Sequence, residues 1–232
     1  MGQPTNLDSI VIRNEYYPSG LTQGLVWKYY NENRKRVLRE IKGRSILLFI
    51  FVQENVSIIR RFYDYNLIKL TRGNFDKVIN GRTVSISVEQ ASDKLDYFCV
   101  DIDPPRHLVN NEDELKECVT DVLELFNNIN SISKVRVTNS ARSYHVYGYL
   151  KRPMKSNTGI RYLSKKLQYG LKGEYSINSR KDNKLKINLD FTPMYLRGTH
   201  TSPWALCKNG LICMDITKNY KNFNREMAVI TK

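Results

Sequence analysis

The chain has 232 residues, 37 Lys and Arg against 23 Asp and Glu, a formal charge of +14 and a pI near 9.6. A chain of this length buries roughly 70% of its unfolded surface and needs no disulfide or metal staple, while 41% hydrophobic and 11% aromatic residues exclude a disordered polyelectrolyte. The charge points to a polyanion, with nucleic acid ahead of an anionic membrane surface or phosphorylated substrates.

Residues 1–20 read as a polar lead-in ending in the turn signal Tyr16-Tyr17-Pro18-Ser19-Gly20. They lack the charged-then-apolar order of a signal peptide, and Asn6 stands where myristoylation wants Ser or Thr. Thr22 can cap a helix running to about Ile41, with Val26, Tyr30, Val37 and Ile41 as its apolar stripe and Gly43 as its stop. The other face carries Lys28, Arg34, Lys35, Arg36 and Arg39, a pattern shared by solvated helix faces and nucleic-acid faces. Strand-like runs follow at Ser45–Val52, Ser57–Tyr63 and Thr83–Glu89, the last entered through the turn pair Asn80-Gly81. The most apolar run, Ile46 to Val52, is too short to span a bilayer.

From residue 96 the pattern becomes regular. Tyr97–Asp103 alternates as a strand. Asn111 and Glu114 form a capping box for a helix to about Ile129, with Leu115, Val119, Val122, Phe126 and Ile129 on one face. Lys134–Thr138 and Tyr144–Leu150 are two further strands. A second helix starts near Thr158, carries Ile160, Leu163, Leu167 and Leu171, and stops at Gly173. Leu185–Phe191 is a fourth strand. The order β-α-β-β-α-β is the ferredoxin-like split βαβ arrangement, so the chain is expected to be α+β, with an N-terminal α/β subdomain over 1–95 and an RRM-like subdomain over 96–232.

That arrangement makes a geometric prediction. The first strand is central, flanked by the third and fourth, with helices on one sheet face and the other left for ligand. Strand side chains alternate, so Phe98, Val100 and Ile102 point to the helices, and Asp101 and Asp103 share the open face. Asp190 and Asn188 fall on that face, and His145 lies beside the end of the first strand. The longitudinal register of Asp190 stays open at this point.

Three carboxylates converging with a histidine suit two divalent cations about 4 Å apart, one activating an attacking hydroxyl and the other holding a triphosphate. A lone Asp-x-Asp before Pro104-Pro105 would be an ordinary strand-end turn. Packed carboxylates repel, so a cation is their natural partner. The connection Asn139-Ser140-Ala141-Arg142-Ser143-Tyr144-His145 offers donors to phosphate oxygens. The loop from Leu196 to Trp204 places Arg197 shortly after a candidate metal ligand, and Arg suits bidentate phosphate binding. His107 and His200 read as loop histidines. Cys99, Cys118, Cys207 and Cys213 contain no C-x-x-C pair, so no zinc is expected and the thiols read as buried and reduced.

At these residues the sequence resembles the catalytic core of the archaeo-eukaryotic primase (primase-polymerase) superfamily. Val100-Asp101-Ile102-Asp103 looks like its first motif, Ser143-Tyr144-His145 like its Ser-x-His motif, and Asn188-Leu189-Asp190 with Arg197-Gly198 like its third. The stretch Tyr16 to Thr22, with Val26 and Tyr29-Tyr30, is similar to the opening of the polymerase domains of prokaryotic end-joining ligases. The resemblance implies a two-lobed fold and a nucleotidyltransferase that makes or extends DNA or RNA primers under a template with Mn²⁺ or Mg²⁺. Asp101, Asp103 and Asp190 would hold the metals. Arg142, Ser143, His145 and Arg197 would bind the incoming NTP or dNTP, and the basic helix (Lys28, Arg34, Lys35, Arg36) would flank template and primer. The zinc insertion of replicative primases is missing, and the usual phosphate-loop glycines are replaced around Ser140, Ala141 and Ser143. A stand-alone minimal enzyme and a domain of a longer protein both fit, in the cytoplasm, nucleoid-associated if prokaryotic. The alternative is a non-catalytic nucleic-acid-binding subunit on the same fold. A replication-initiator nuclease is disfavoured because none of the 3 histidines has the His-hydrophobic-His spacing.

Overall fold

Thr22 sets the first helix. Its backbone is extended, its hydroxyl accepts from Leu25 N–H at 3.1 Å, and α1 (Gln23–Glu40) follows. In the computed structural model, residues 21–53, 59–79, 83–90, 92–105, 112–140, 142–178, 186–196, 198–207 and 210–230 are described, 49–53, 59–67 and 83–84 by backbone alone. The turn signals at 16–20 and Asn80-Gly81, the cap residue Asn111, and His107, Leu185 and Arg197 lie outside the described residues. The chain divides into two compact units. The first comprises 1–89, 200–214 and 224–232, the second 90–199 and 215–223. The boundary read at 95/96 thus falls at 89/90, and two C-terminal stretches return to the first unit.

In the first unit, Val26, Tyr30 and Val37 of α1 and its C-cap Ile41 are fully buried. They pack in one core with Ile46 and Leu48 of β1 (Ile46–Gln53) and with Ile86 and Val88 of β3 (Thr83–Glu89). Strand β2 (Ile59–Ile68) pairs antiparallel with β1. The short α2 (Phe75–Val78) contributes Phe75 to the core. Ala205 and Leu206 complete that core. Leu206 N–H donates to the buried Tyr30 hydroxyl at 3.1 Å, and Tyr29 OH donates to Trp204 O at 2.9 Å. A packing requirement thus explains why residues far along the chain belong here. Gly43, at φ +77°, turns the chain after α1 through the left-handed region. The sheet order is β2-β1-β3-β9, where β9 is Thr199–Thr201. His200 therefore sits in a strand and is buried, not in a loop.

The second unit holds the expected split βαβ. Strand β4 (Lys94–Asp103) leads to α3 (Glu112–Asn127), β5 (Ile132–Ser140), β6 (Ser143–Lys155), α4 (Ser156–Gly170), β7 (Ser176–Ile177) and β8 (Asn188–Asp190). The sheet order is β5-β6-β4-β8-β7, so the first strand of the motif is central with the third and fourth at its sides, as predicted. α4 ends at Gly170, before the predicted stop at Gly173. Phe98, Val100 and Ile102 are fully buried on the helix side, with Phe98 6.3 Å from the Phe126 ring of α3. Gly148 of β6 leaves the space that Phe126 and Ile132 fill. On the outer strand, buried Arg136 pairs with Asp215 at 3.0 Å, and Thr138 bridges Asp215. No helix of the described residues is long and apolar enough to cross a membrane.

Candidate active site

The register of the central sheet settles what the sequence left open. Asp101 of β4 lies opposite His145 of β6 on one side and opposite Asp190 of β8 on the other. Directly opposed residues project to the same face, so His145, Asp101 and Asp190 form one row across three strands. The next row places Asp103 opposite Asn188. Asp101, Asp103 and Asp190 are each half-buried, whereas His145 is 2% exposed. The face is less open than predicted. Tyr97, Cys99, His145 and Tyr147 along its middle are buried, and the carboxylate end is half-buried.

His145 is held from behind. Its Nδ1 lies 3.3 Å from the Tyr147 hydroxyl, and its Nε2 lies 3.4 Å from Asp101 Oδ1. That contact is within ion-pair range but does not meet hydrogen-bond geometry, and Asp101 Oδ1 is buried with no hydrogen-bond partner among the described residues. A buried carboxylate oxygen left this way is costly. Burial, and then the charges of Asp101 and Asp190, push the Asp103 carboxyl up to about 7, while His145 and Arg142 pull it back. Burial, followed by the Asp101 charge, drives the Cys99 thiol well above its usual range.

Asp190 is differently placed. Its Oδ1 accepts from Thr192 N–H at 2.8 Å and from the Thr192 hydroxyl at 2.7 Å, at the entry to the 3₁₀ turn Thr192–Met194. Among the described residues, no group of three or more His, Cys, Asp and Glu side chains stands ready to hold a metal ion. The predicted convergence is therefore one of face and register. The donor set nonetheless suits a hard divalent cation, with carboxylate oxygens, one of them orphaned, and a histidine alongside.

Ser143 and Arg142 lie at the β5–β6 connection. Ser143 is buried, and its hydroxyl donates to Ser140 O at 3.0 Å. Arg142 is exposed, and its charge acts on Asp103. Gly198 was legible only as part of a motif. A Cβ there would collide with the Thr192 carbonyl oxygen, so this tight return after the 3₁₀ turn admits only glycine.

The basic helix divides in two. In the first unit, Arg34 donates to both Asp76 oxygens at 3.1 and 3.0 Å and to Arg72 O at 2.7 Å, and lies 4.7 Å over the Phe75 ring. Arg36 lies 4.6 Å over the Trp204 ring. Lys28 and Lys35 are exposed. All four cysteines are buried free thiols. Tyr147, beneath His145, is the site residue the sequence reading missed. Its signal was the alternation that puts it on the same face two positions on.

No family model matches the sequence, and no curated protein matches it. Among solved structures, the chain is similar to the polymerase domain of Ligase D from Mycobacterium tuberculosis, solved in complex with DNA. The TM-score is 0.65, at 15% identity, covering 93% of this chain and 86% of that one. The likeness shows the fold: mixed α+β, with two sheets and four α-helices among the described residues, similar to that polymerase domain.

Proposed function

We propose that the chain is a template-directed nucleotidyltransferase that makes or extends primers, in replication priming or DNA repair. The observation that carries this is the His145–Asp101–Asp190 row, with Asp103 one step along the same face. Asp101, Asp103 and Asp190 would hold Mn²⁺ or Mg²⁺, which when bound supplies charge neutralisation and activation of an attacking hydroxyl. The protein's own groups do the positioning. Tyr147 OH can donate to His145 Nδ1, which leaves the Nε2 proton facing Asp101 and a bound phosphate oxygen. Exposed Arg142, with Arg197, would take triphosphate oxygens of an NTP or dNTP, and Ser143 would join them by turning its hydroxyl from Ser140 O. The new bond forms between a 3′ hydroxyl and the α-phosphorus as pyrophosphate leaves, a reaction catalysed mainly by position and electrostatics. On the basic helix, Lys28 and Lys35 would contact DNA phosphates, since Arg34 and Arg36 already hold intramolecular partners.

A second reading, a non-catalytic nucleic-acid-binding subunit, draws on Asp190 being engaged with Thr192. One assay separates the two: templates with and without a primer, ribo- or deoxynucleotides, Mn²⁺ or Mg²⁺, and Asp101→Ala beside wild type. Template-dependent incorporation lost in Asp101→Ala supports the enzyme. Binding without incorporation in every arm, or normal incorporation by Asp101→Ala, refutes it.

A further inference from the structure

The helix-covered side of the second unit carries a surface that this chemistry does not use. Helix α4 has two stripes. Ile160, Leu163 and Leu167 are buried against the sheet. At the complementary spacing, Arg161, Tyr162, Lys165, Lys166 and Tyr169 are all exposed. The helix contains no acidic residue, and among the described residues none of its three cations pairs with a carboxylate.

The aromatic members are unusual for a solvated face. Tyr169 is 82% exposed, and Tyr162 37%. Tyr162 is pre-oriented: its ring stacks at 25° on Phe98 beneath it, and Lys166 Nζ lies 5.7 Å from its centroid. These side chains border two grooves. One, of about 490 Å³ between α3 and α4, is lined by Leu125, Tyr162, Lys165, Lys166, Tyr169 and Gly170. The other, of about 540 Å³, shares Tyr162 and Lys165 and adds Arg161 and the exposed Tyr195. Among the described residues, no acid lines either groove. Another groove along α3 is mixed in charge, with Lys116, Lys172 and Lys221 among its four acids.

We infer that the outer face of α4 is a second nucleic-acid site, one that takes single-stranded nucleic acid. Unpaired bases stack on Tyr169 and on the free part of Tyr162, and the backbone phosphates lie against Arg161, Lys165 and Lys166. Rings with cations alternating along one face are what a sequence-tolerant single strand needs. A duplex keeps its bases stacked and offers no partner to the rings. A protein or lipid partner would want aliphatic surface, which Leu125 alone supplies in the α3–α4 groove. The site lies across the sheet from Asp101, so it goes beyond the proposed polymerase reading and would hold a strand other than the one being copied.

The test uses the full chain in EDTA, with fluorescein-labelled oligothymidylate followed by anisotropy. Tyr169→Ala should weaken binding roughly five-fold or more, the loss of one base stack, and Tyr169→Phe should restore it. Lys165→Gln with Lys166→Gln should flatten the slope of log affinity against log salt by about 1.4, at about 0.7 per lost phosphate contact. The assay holds no divalent metal and no nucleotide, which keeps this result separate from the fate of the catalytic reading. All the substituted positions on α4 are exposed, and unchanged thermal melts verify folding. Unchanged affinity and slope in both variants would overturn the inference. So would equal weakening of duplex and single strand by Tyr169→Ala, or tighter binding to phosphatidylserine–phosphatidylcholine vesicles or polyglutamate.

Discussion

The two faces of strand β4 carry opposite chemistry. On the helix side, Phe98, Val100 and Ile102 are fully buried in a core with Val119, Val122 and Leu189. On the other side, one residue along, Asp101 and Asp103 stand next to Asp190, and one buried carboxylate oxygen has no hydrogen-bond partner among the described residues. One face supplies folding free energy. The other opposes folding, because like charges share a partly desolvated space. A two-residue period in one strand thus assigns stability and chemistry to opposite sides, and the apolar side holds the acidic side in place.

Substitutions on each face should separate the two roles. The largest effect is expected at Asp190→Asn, which removes one charge from the row. Nucleotide incorporation should drop roughly 10²- to 10³-fold or more, with the melting temperature held or raised. A melting temperature that falls with activity would place Asp190 on the structural side instead. Next comes Phe98→Ala, which vacates the space against Phe126 and Tyr162. Chemical denaturation should show a loss of about 3–5 kcal/mol. A loss below about 1 kcal/mol would mean that this face does not carry the unit.

Asp103→Asn at pH 8 without divalent metal should raise the melting temperature by about 2–5 °C, because it relieves repulsion from Asp101 and Asp190. In Mn²⁺ the advantage should vanish. Destabilisation in EDTA would contradict the repulsion. The smallest effect is expected at Tyr147→Phe, which keeps the buried ring and deletes the hydroxyl beside His145 Nδ1. Stability should change by about 1 kcal/mol, while incorporation falls more at low nucleotide than at saturation. A uniform fall at all nucleotide concentrations would argue against a positioning role.

The same contrast explains how much was legible beforehand. Local patterns carried the helix side: the Thr22 cap, the α1 and α3 stripes and the alternation in β4 all appear where the sequence puts them. The strand order followed from the motif. The pairing of Asp190 with Asp101 did not, because register between strands far apart in sequence depends on packing that no local window contains. β6 runs to Lys155, beyond the Leu150 limit, and pairs irregularly with β4 between Leu95 and Tyr97. Arg34 looked like a free cation because Asp76 and Phe75 lie on another element. Ala205 and Leu206 were grouped with the catalytic subdomain because nothing in their sequence reveals that Tyr30 awaits them.

The central claim is that the acidic face of β4 holds a divalent cation as one unit. Electron paramagnetic resonance of Mn²⁺ titrated into the full chain tests it most directly. Wild type should bind Mn²⁺ with displacement by Mg²⁺, and Asp101→Ala and Asp190→Asn should each lose that binding while melting at or above the wild-type temperature. Mn²⁺ binding that survives both substitutions unchanged would contradict the account.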